Sequence, residues 1–184
     1  MIVAKKTIIA VLSLILALSC IGGTLAFLID STDPVQNTFL PSKVDIEIEE
    51  DFDGTKKENI KVGNIGDTSA YVRVSLVSYW HDDNNQVVAK DSWFTDEGLN
   101  LGENWFKVGD YYYYKFPVKA NEMTDNALFT DAVLLNKDTS DATAQVLEVL
   151  AEAIQSEPAV AVEEAWPAVK VSTDAATKGQ LVKP

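Results

Sequence analysis

The segment His81-Asp82-Asp83-Asn84-Asn85 is the first candidate for chemistry in this sequence. Carboxylate and amide oxygens are the ligands that Ca²⁺ prefers, so Asp82, Asp83 and Asn84 could hold a calcium ion. The segment lacks the central glycine and the distal glutamate of an EF-hand loop, and the same residue types form solvated hairpin turns. We therefore favour a turn over a calcium site and expect no cofactor.

A hydrolytic active site has few residues to use, because His81 is the only histidine of the chain. A catalytic zinc site typically uses two or three imidazoles, and a nucleophilic serine needs a histidine beside it. The sequence also contains no His-Glu-x-x-His motif. It therefore predicts a protein that is not an enzyme.

Four consecutive tyrosines could form a glycan-contact surface, since aromatic rings stack on sugars. They are Tyr111, Tyr112, Tyr113 and Tyr114. In a strand, alternate tyrosines point to opposite faces, so two would fill the core and two would cover a sheet face, and we favour this interpretation. Arg73, the only arginine, lies among apolar residues, and we expect it to form a structural pair with a carboxylate.

The charge of the chain excludes several classes of partner. It has 184 residues, with 15 basic and 28 acidic side chains and a formal net charge of -13. Such a chain has no basic surface for phosphate groups, which excludes nucleic acid and disfavours anionic membranes. Its length suits one globular domain, and its single cysteine, Cys20, cannot form an intrachain disulfide.

Residues 1–26 are predicted to be a secretory signal peptide. Lys5 and Lys6 form its positive region, and the apolar run that follows has 12 residues, too short for a membrane span of about 20. We place the cleavage site between Ala26 and Phe27. Lipidation at Cys20 is the alternative, and it is disfavoured because such sites prefer leucine at the position of Ala17.

The exported chain predicted by this cleavage is acidic and free of cysteine. Removal of residues 1–26 takes away two lysines and no acidic residue, so the net charge becomes -15. Both properties suit the exterior of a bacterial cell. No second apolar run of spanning length follows, so we expect no stable transmembrane anchor after cleavage.

Short strands separated by turn residues dominate the exported sequence. Val44 to Glu49 alternates apolar and acidic residues, and Ala70 to Trp80 carries bulky residues on both faces, as a central strand does. This spacing predicts an all-β fold, an antiparallel jelly-roll or immunoglobulin-like β-sandwich, with a short C-terminal helix over Val162 to Val169. Residues 144–155 fit a helix by propensity and a strand by alternation, and both interpretations stay open on the residues alone.

Three segments resemble the TasA/camelysin-like family of exported proteins, whose SipW-dependent signal peptides are cut by a dedicated signal peptidase. They are the junction at residues 22–31, the segment at residues 33–39, and the turn Val62-Gly63-Asn64-Ile65-Gly66-Asp67 with the strand residues 70–74 that follow it. The resemblance extends from residue 22 to about residue 170. It implies a jelly-roll-like sandwich in which 144–155 is a strand, and a role in extracellular fibres of a biofilm matrix.

Four segments are expected along the chain: a signal peptide at 1–26, an N-terminal arm at 27–43, a β-sandwich at 44–172 and a flexible tail at 173–184. The arm could add as a strand to the open sheet edge of a second copy. Repetition of that contact gives an open filament. The residues of the arm that we expect to bind are Phe27, Leu28, Ile29, Val35 and Phe39.

The predicted function is therefore that of a secreted structural protein. We expect it in the extracellular matrix or at the cell surface of a Gram-positive-type bacterium, where it self-associates into filaments after processing by a SipW-type signal peptidase. The alternative is a monomeric exported module that binds matrix polysaccharide.

Overall fold

The computed structural model describes residues 43–184, which form an all-β, antiparallel sandwich with one short helix. The strands, in chain order, are β1 (Ile46–Phe52), β2 (Lys56–Asn64), β3 (Ala70–Asp82), β4 (Val87–Val88), β5 (Trp105–Val108), β6 (Tyr111–Tyr114), β7 (Glu122–Met123), β8 (Val133–Leu134), β9 (Lys137–Asp138), β10 (Thr143–Gln155), β11 (Lys170–Val171) and β12 (Leu181–Val182). The helix α1 (Ala159–Ala165) follows β10.

Two main sheets pack against each other. The first has the order β1-β2-β7, with β8 also paired to β2, and the second has the order β5-β6-β3-β10-β9, with β4 paired to β3. Both sheets contribute buried side chains to one core, among them Val62 from β2, Val74 from β3 and Leu147 from β10. The predicted all-β sandwich with a short C-terminal helix is confirmed.

The ladder between β3 and β10 is the longest in the fold. Its register runs without a shift from Asp82 opposite Thr143 to Ala70 opposite Gln155. The residues of β10 that face the core are those that the strand alternation predicts: Leu147, Val149, Ala151 and Ala153. Residues 144–155 are therefore a strand, since pairing and burial along the whole segment outweigh its helical propensity.

A second layer covers part of the outer face of the second sheet. It consists of α1 and the β11–β12 hairpin, which we call the C-terminal cover. Their side chains enclose a second cluster with β3 and β6: Tyr71, Tyr113, Val162, Trp166, Val169 and Leu181. The helix lies earlier than predicted, at Ala159–Ala165, because Pro167 disfavours helical geometry at Trp166.

The C-terminal segment differs from the prediction of a flexible tail at 173–184. Leu181 is 1% exposed and pairs with Val171, and the Tyr71 hydroxyl donates a hydrogen bond to the carbonyl of Gly179 at 2.7 Å. The compact unit extends to Pro184, so the predicted boundary at residue 172 is also wrong. Burial of a single leucine anchors a segment whose remaining residues are mostly polar.

Candidate functional site: an open sheet edge and an apolar cleft

The outer side of β10 is a sheet edge that is paired only at its start. Within residues 43–184, β9 pairs with Thr143 and Ala144, and no strand pairs with this side beyond them. The N–H of Gln145 donates outward to the carbonyl of Asn136 at 3.0 Å. Because main-chain groups alternate between the two sides of a strand, the next outward groups belong to Leu147, Val149, Ala151 and Ala153. We call the side formed by these residues the open edge.

The open edge lacks the devices that commonly block strand addition. Natural edge strands carry lysine, proline or a β-bulge, or are very short. β10 has 13 residues, no lysine and no proline, and it has no register shift against β3. Leu147 is 0% and Val149 9% exposed, whereas Ala151 and Ala153 are partly exposed, so the accessible part of this edge lies in the second half of β10.

An apolar cleft adjoins the start of the open edge. Its volume is about 640 Å³, and it lies between the β1–β2 hairpin, which contributes Phe52 and Lys57, and the first half of β10. Both Phe52 and Leu147 line the cleft; Phe52 is 55% exposed, whereas Leu147 is 0% exposed. A cleft of this size and apolar character can take several side chains from an added chain.

A short block closes the same end of the open edge. Asn136 and Gln145 bond twice, since the Asn136 N–H also donates to Oε1 of Gln145 at 2.8 Å. Together with β9, this pair occupies the outer side of β10 up to residue 145. An added strand therefore meets protein rather than solvent at that point.

Lys90 fixes the turn that connects β9 to β10. Its ammonium contacts Asp138 at 3.0 Å, Asp141 at 2.6 Å and the Thr143 hydroxyl at 2.8 Å. The Ser140 hydroxyl at 2.6 Å and the Lys90 ammonium hold the pKa of Asp138 at about 2, well below its usual value. The turn is thus tied by charge-assisted bonds to the segment that follows β4.

Arg73 secures the paired side of β10. Its Nε and Nη2 donate to the same oxygen of Glu152, at 3.1 and 2.6 Å. The guanidinium carbon lies 3.8 Å from the ring centre of Tyr111 and 4.8 Å from that of Trp166. The predicted carboxylate pair is confirmed, and cation–π contacts add to it.

The four tyrosines do not form an exposed surface. Tyr112, Tyr113 and Tyr114 are between 1% and 3% exposed, so the suggested glycan-contact surface at Tyr111–Tyr114 is wrong for three of its four residues. Tyr112 and Tyr114 pack in the main core, and Tyr113 lies under the C-terminal cover with Tyr111 beside it. The favoured interpretation, in which alternate tyrosines serve the core and the opposite face, is confirmed. Burial, followed by the hydrogen bond to Asp96, raises the pKa of Tyr112.

His81 and Asp82 are the last residues of β3, and the turn of the β3–β4 hairpin follows at Asp83 and Asn84. One carboxylate oxygen of Asp82 accepts bonds from the N–H groups of Asn84 and Gln86, at 2.9 and 2.8 Å. These bonds, the one from Gln86 first, lower the pKa of Asp82. Across residues 43–184, no three His, Cys, Asp or Glu side chains gather into a group that could hold a metal ion.

The predicted cleavage site and arm lie outside the described residues. This applies to Ala26 and to the five arm residues Phe27, Leu28, Ile29, Val35 and Phe39. In the described part of the chain, no helix is long and apolar enough to cross a membrane.

The sequence did not predict the open edge, the cleft or the contacts of Lys90. No residue type marks them, because an edge exists only through the order of strands in a sheet. The alternation of β10 was the one available signal, since it places the apolar side chains on one face and leaves the main chain free to pair on both sides.

Comparison with protein-family models, with curated proteins and with solved structures finds no match to this chain. The TasA/camelysin-like resemblance therefore stays a prediction.

Proposed function

We propose that this is a secreted structural protein that assembles into extracellular fibres of a biofilm matrix by donor-strand addition. The N-terminal arm of one copy pairs with the open edge of the next. The observation that carries the proposal is the outer side of β10, which no strand of residues 43–184 pairs beyond Ala144, with an apolar cleft near its first half. Extended peptides bind such edges through main-chain hydrogen bonds, and adjacent pockets select their side chains.

The arm suits this edge in length and in pattern. Residues 27–39 span about 43 Å when extended, and the seven residues from Leu147 to Ala153 span about 23 Å. Phe27, Ile29, Val35 and Phe39 are all odd-numbered, so they point to one face of an extended arm. That face would lie on the same side as the core-facing residues of β10 while the main chain pairs with β10.

In this proposal, cleavage of the signal peptide controls when assembly can begin. Before cleavage by a SipW-type peptidase, the arm is continuous with the apolar segment at 7–18 and is held at the membrane. Cleavage after Ala26 releases it outside the cell. Each copy then carries one arm and one acceptor edge, and this head-to-tail contact propagates as an open filament.

The alternative, a monomeric polysaccharide-binding module, loses the surface on which it rested. Tyr112, Tyr113 and Tyr114 are buried in two clusters and cannot stack on sugar rings. No other described feature favours this alternative.

The test compares a chain that begins at Phe27 with one that begins at Lys43. We expect filaments in negative-stain electron microscopy from the longer chain only, and a monomer in size-exclusion chromatography from the shorter one. Fibres of the same form from the shorter chain would contradict donor-strand assembly.

Two substitutions in the arm give a matched comparison at constant length. Val35→Asp places a charge on the face expected to be buried, whereas Gln36→Asp places the same charge on the opposite face. Val35→Asp should prevent filaments and Gln36→Asp should preserve them. An equal effect of the two would show that the arm does not bind as a strand.

A further inference from the structure

We infer that the apolar cleft near the first half of β10 is a receptor for the N-terminal residue of the exported chain, Phe27, from a second copy. The Phe27 ring fills the apolar part of the cleft, and its α-ammonium group binds the carboxylates of Asp82 and Asp83. This inference rests on the proposed function, because it adds a second contact to the same donated arm.

The cleft has the size and the walls that an aromatic side chain needs. Its volume is about 640 Å³, and Phe52 and Leu135 are among the apolar residues that line it. Phe52 is 55% exposed, so its ring offers surface for a stacked or edge-to-face contact with a second ring. Apolar clefts with a few polar groups at fixed positions are typical binding sites.

The charged groups around the cleft favour a cation over an anion. Two of the lining residues are already paired, Lys57 with Glu50 at 2.6 Å and Asp138 with Lys90 at 3.0 Å. When the lining residues and their ion-pair partners are taken together, the carboxylates of Glu50, Asp82, Asp83, Asp138 and Asp141 outnumber the ammonium groups of Lys57, Lys90 and Lys137. His81, counted as neutral at pH 7, leaves this balance unchanged.

Asp82 and Asp83 are the carboxylates that remain available to an incoming ammonium group. Within residues 43–184, no lysine or arginine forms an ion pair with either of them. Asp82 uses one oxygen for the N–H groups of Gln86 and Asn84, and these bonds lower its pKa, so it is ionised at neutral pH. An α-amino group has a pKa of about 8 and is then mostly charged, so the two form a charge-assisted pair.

The accessible part of the open edge leaves the start of the arm without a partner. Leu147 is 0% and Val149 9% exposed, so main-chain pairing is confined to the region of Ala151 and Ala153. The arm of 13 residues is much longer than this region. Its first half is therefore free to make a different contact.

The length of the arm brings Phe27 to the cleft when the arm runs parallel to β10. With Val35 opposite Ala151, Phe27 lies eight residues before Val35, and Thr143 lies eight residues before Ala151. Both distances are about 26 Å in an extended chain. Thr143 lines the cleft, so Phe27 arrives level with it.

Signal-peptide cleavage creates the group that this receptor binds. Before cleavage, the nitrogen of Phe27 is part of an uncharged amide. Hydrolysis of the bond between Ala26 and Phe27 turns it into an amine that takes up a proton. Capture of a new N-terminal amine is a recurring mode of peptide recognition, and it makes binding depend on cleavage at this bond.

Synthetic peptides of residues 27–33 test the inference. The first has a free amine, the second is N-acetylated, and the third has a free amine and carries Phe27→Ala. They are titrated by calorimetry into the exported chain that carries Val35→Asp, which we expect to stay monomeric, and Phe27→Ala, which removes its own competing ring. Acetylation and Phe27→Ala should each raise the Kd at least tenfold.

Two double variants of that chain locate the binding site. Asp82→Asn with Asp83→Asn removes both cleft charges and keeps the oxygen of residue 82 that accepts the bonds of the turn. Asp110→Asn with Asp174→Asn is the control, because it removes two charges from residues that do not line the cleft. The cleft variant should weaken the free-amine peptide at least tenfold, to the affinity of the acetylated one, and the control should stay within twofold.

The inference is overturned by equal affinities of the free and acetylated peptides, by the absence of binding, or by unchanged binding in the cleft variant. If filaments form from the unaltered chain in any of these cases, donor-strand addition stands without the receptor. If the free-amine peptide binds selectively and the unaltered chain forms no filaments, the receptor stands and the proposed function is wrong.

Discussion

The two edge strands β1 and β10 lie against each other at one side of the sandwich, but they differ in how they treat an approaching chain. β1 carries a register shift between Glu49 and Asp51, and only Ile46 among its residues packs against the main core. β10 has an unbroken register and alternate residues in the core.

This difference shows how one edge strand can be protected from pairing with another chain while the neighbouring edge strand remains able to pair. A bulge increases the local twist of a strand, and acidic side chains on both sides of it repel another acidic chain. β10 pairs with β3 without a bulge and is anchored to it by the pair of Arg73 with Glu152. A regular, well-anchored edge is the better template for an added strand.

The largest effect is expected from proline substitutions that block one edge at a time. The N–H of Ala151 points outward, so Ala151→Pro removes a donor of the open edge without removing a bond to β3. We expect it to abolish filaments in electron microscopy while size-exclusion chromatography still shows a folded monomer.

Ile48→Pro is the matched variant on β1. The carbonyl of Asp45 faces the β2 side, so the N–H of Ile48, three residues on, points away from β2. Filaments should persist in this variant. Loss of filaments in Ile48→Pro with retention in Ala151→Pro would transfer the acceptor edge from β10 to β1.

A smaller effect is expected on the free energy of unfolding, when one apolar side chain is shortened in each of the two strands. Leu147 is 0% exposed and Ile48 is 37% exposed. Leu147→Ala should lower the free energy of unfolding by about 3 kcal/mol, through lost burial and the cavity left behind. Ile48→Ala should cost below about 1 kcal/mol, and urea denaturation measures both. Equal losses would mean that β1 is anchored as firmly as β10.

The smallest effect concerns the turn that ends the open edge. The pKa of Asp138 is lowered to about 2, so the stabilisation from its ionised form is complete above its usual value of 3.8. It is lost as the pH falls from there through 2. Nuclear magnetic resonance titration of the carboxyl carbon should give this pKa.

Lys90→Met should raise the pKa of Asp138, which stays below 3.8 because the Ser140 hydroxyl still donates to it. Lys107→Met should leave the pKa unchanged. The same pKa in both variants would show that Lys90 does not hold the turn.

Much of the fold could be predicted because alternation reports burial directly. The pattern of β3, with Val72 and Val74 inward and Tyr71 outward, matches the two clusters on either side of that strand. The sequence alone left residues 144–155 open, since the decision depends on pairing with β3, and residues 73 and 152 are 79 positions apart.

The parts that could not be predicted depend on single contacts. Leu181 and Val182 are too short a run to stand out against a polar tail, yet their pairing with β11 orders it. Whether Tyr113 is exposed depends on a second layer over the outer face of its sheet. The C-terminal cover is that layer, and no sequence pattern predicted it.

The long sequence separation between β3 and β10 also determines when, during folding, the open edge forms. Closing a loop of this length is entropically costly, and folds rich in distant pairings form slowly. The open edge does not exist until β10 has paired with β3, where Arg73 and Glu152 are 79 positions apart. In the proposed fibre, a chain could therefore receive a neighbour only after its own folding is nearly complete, so a filament would incorporate only folded subunits.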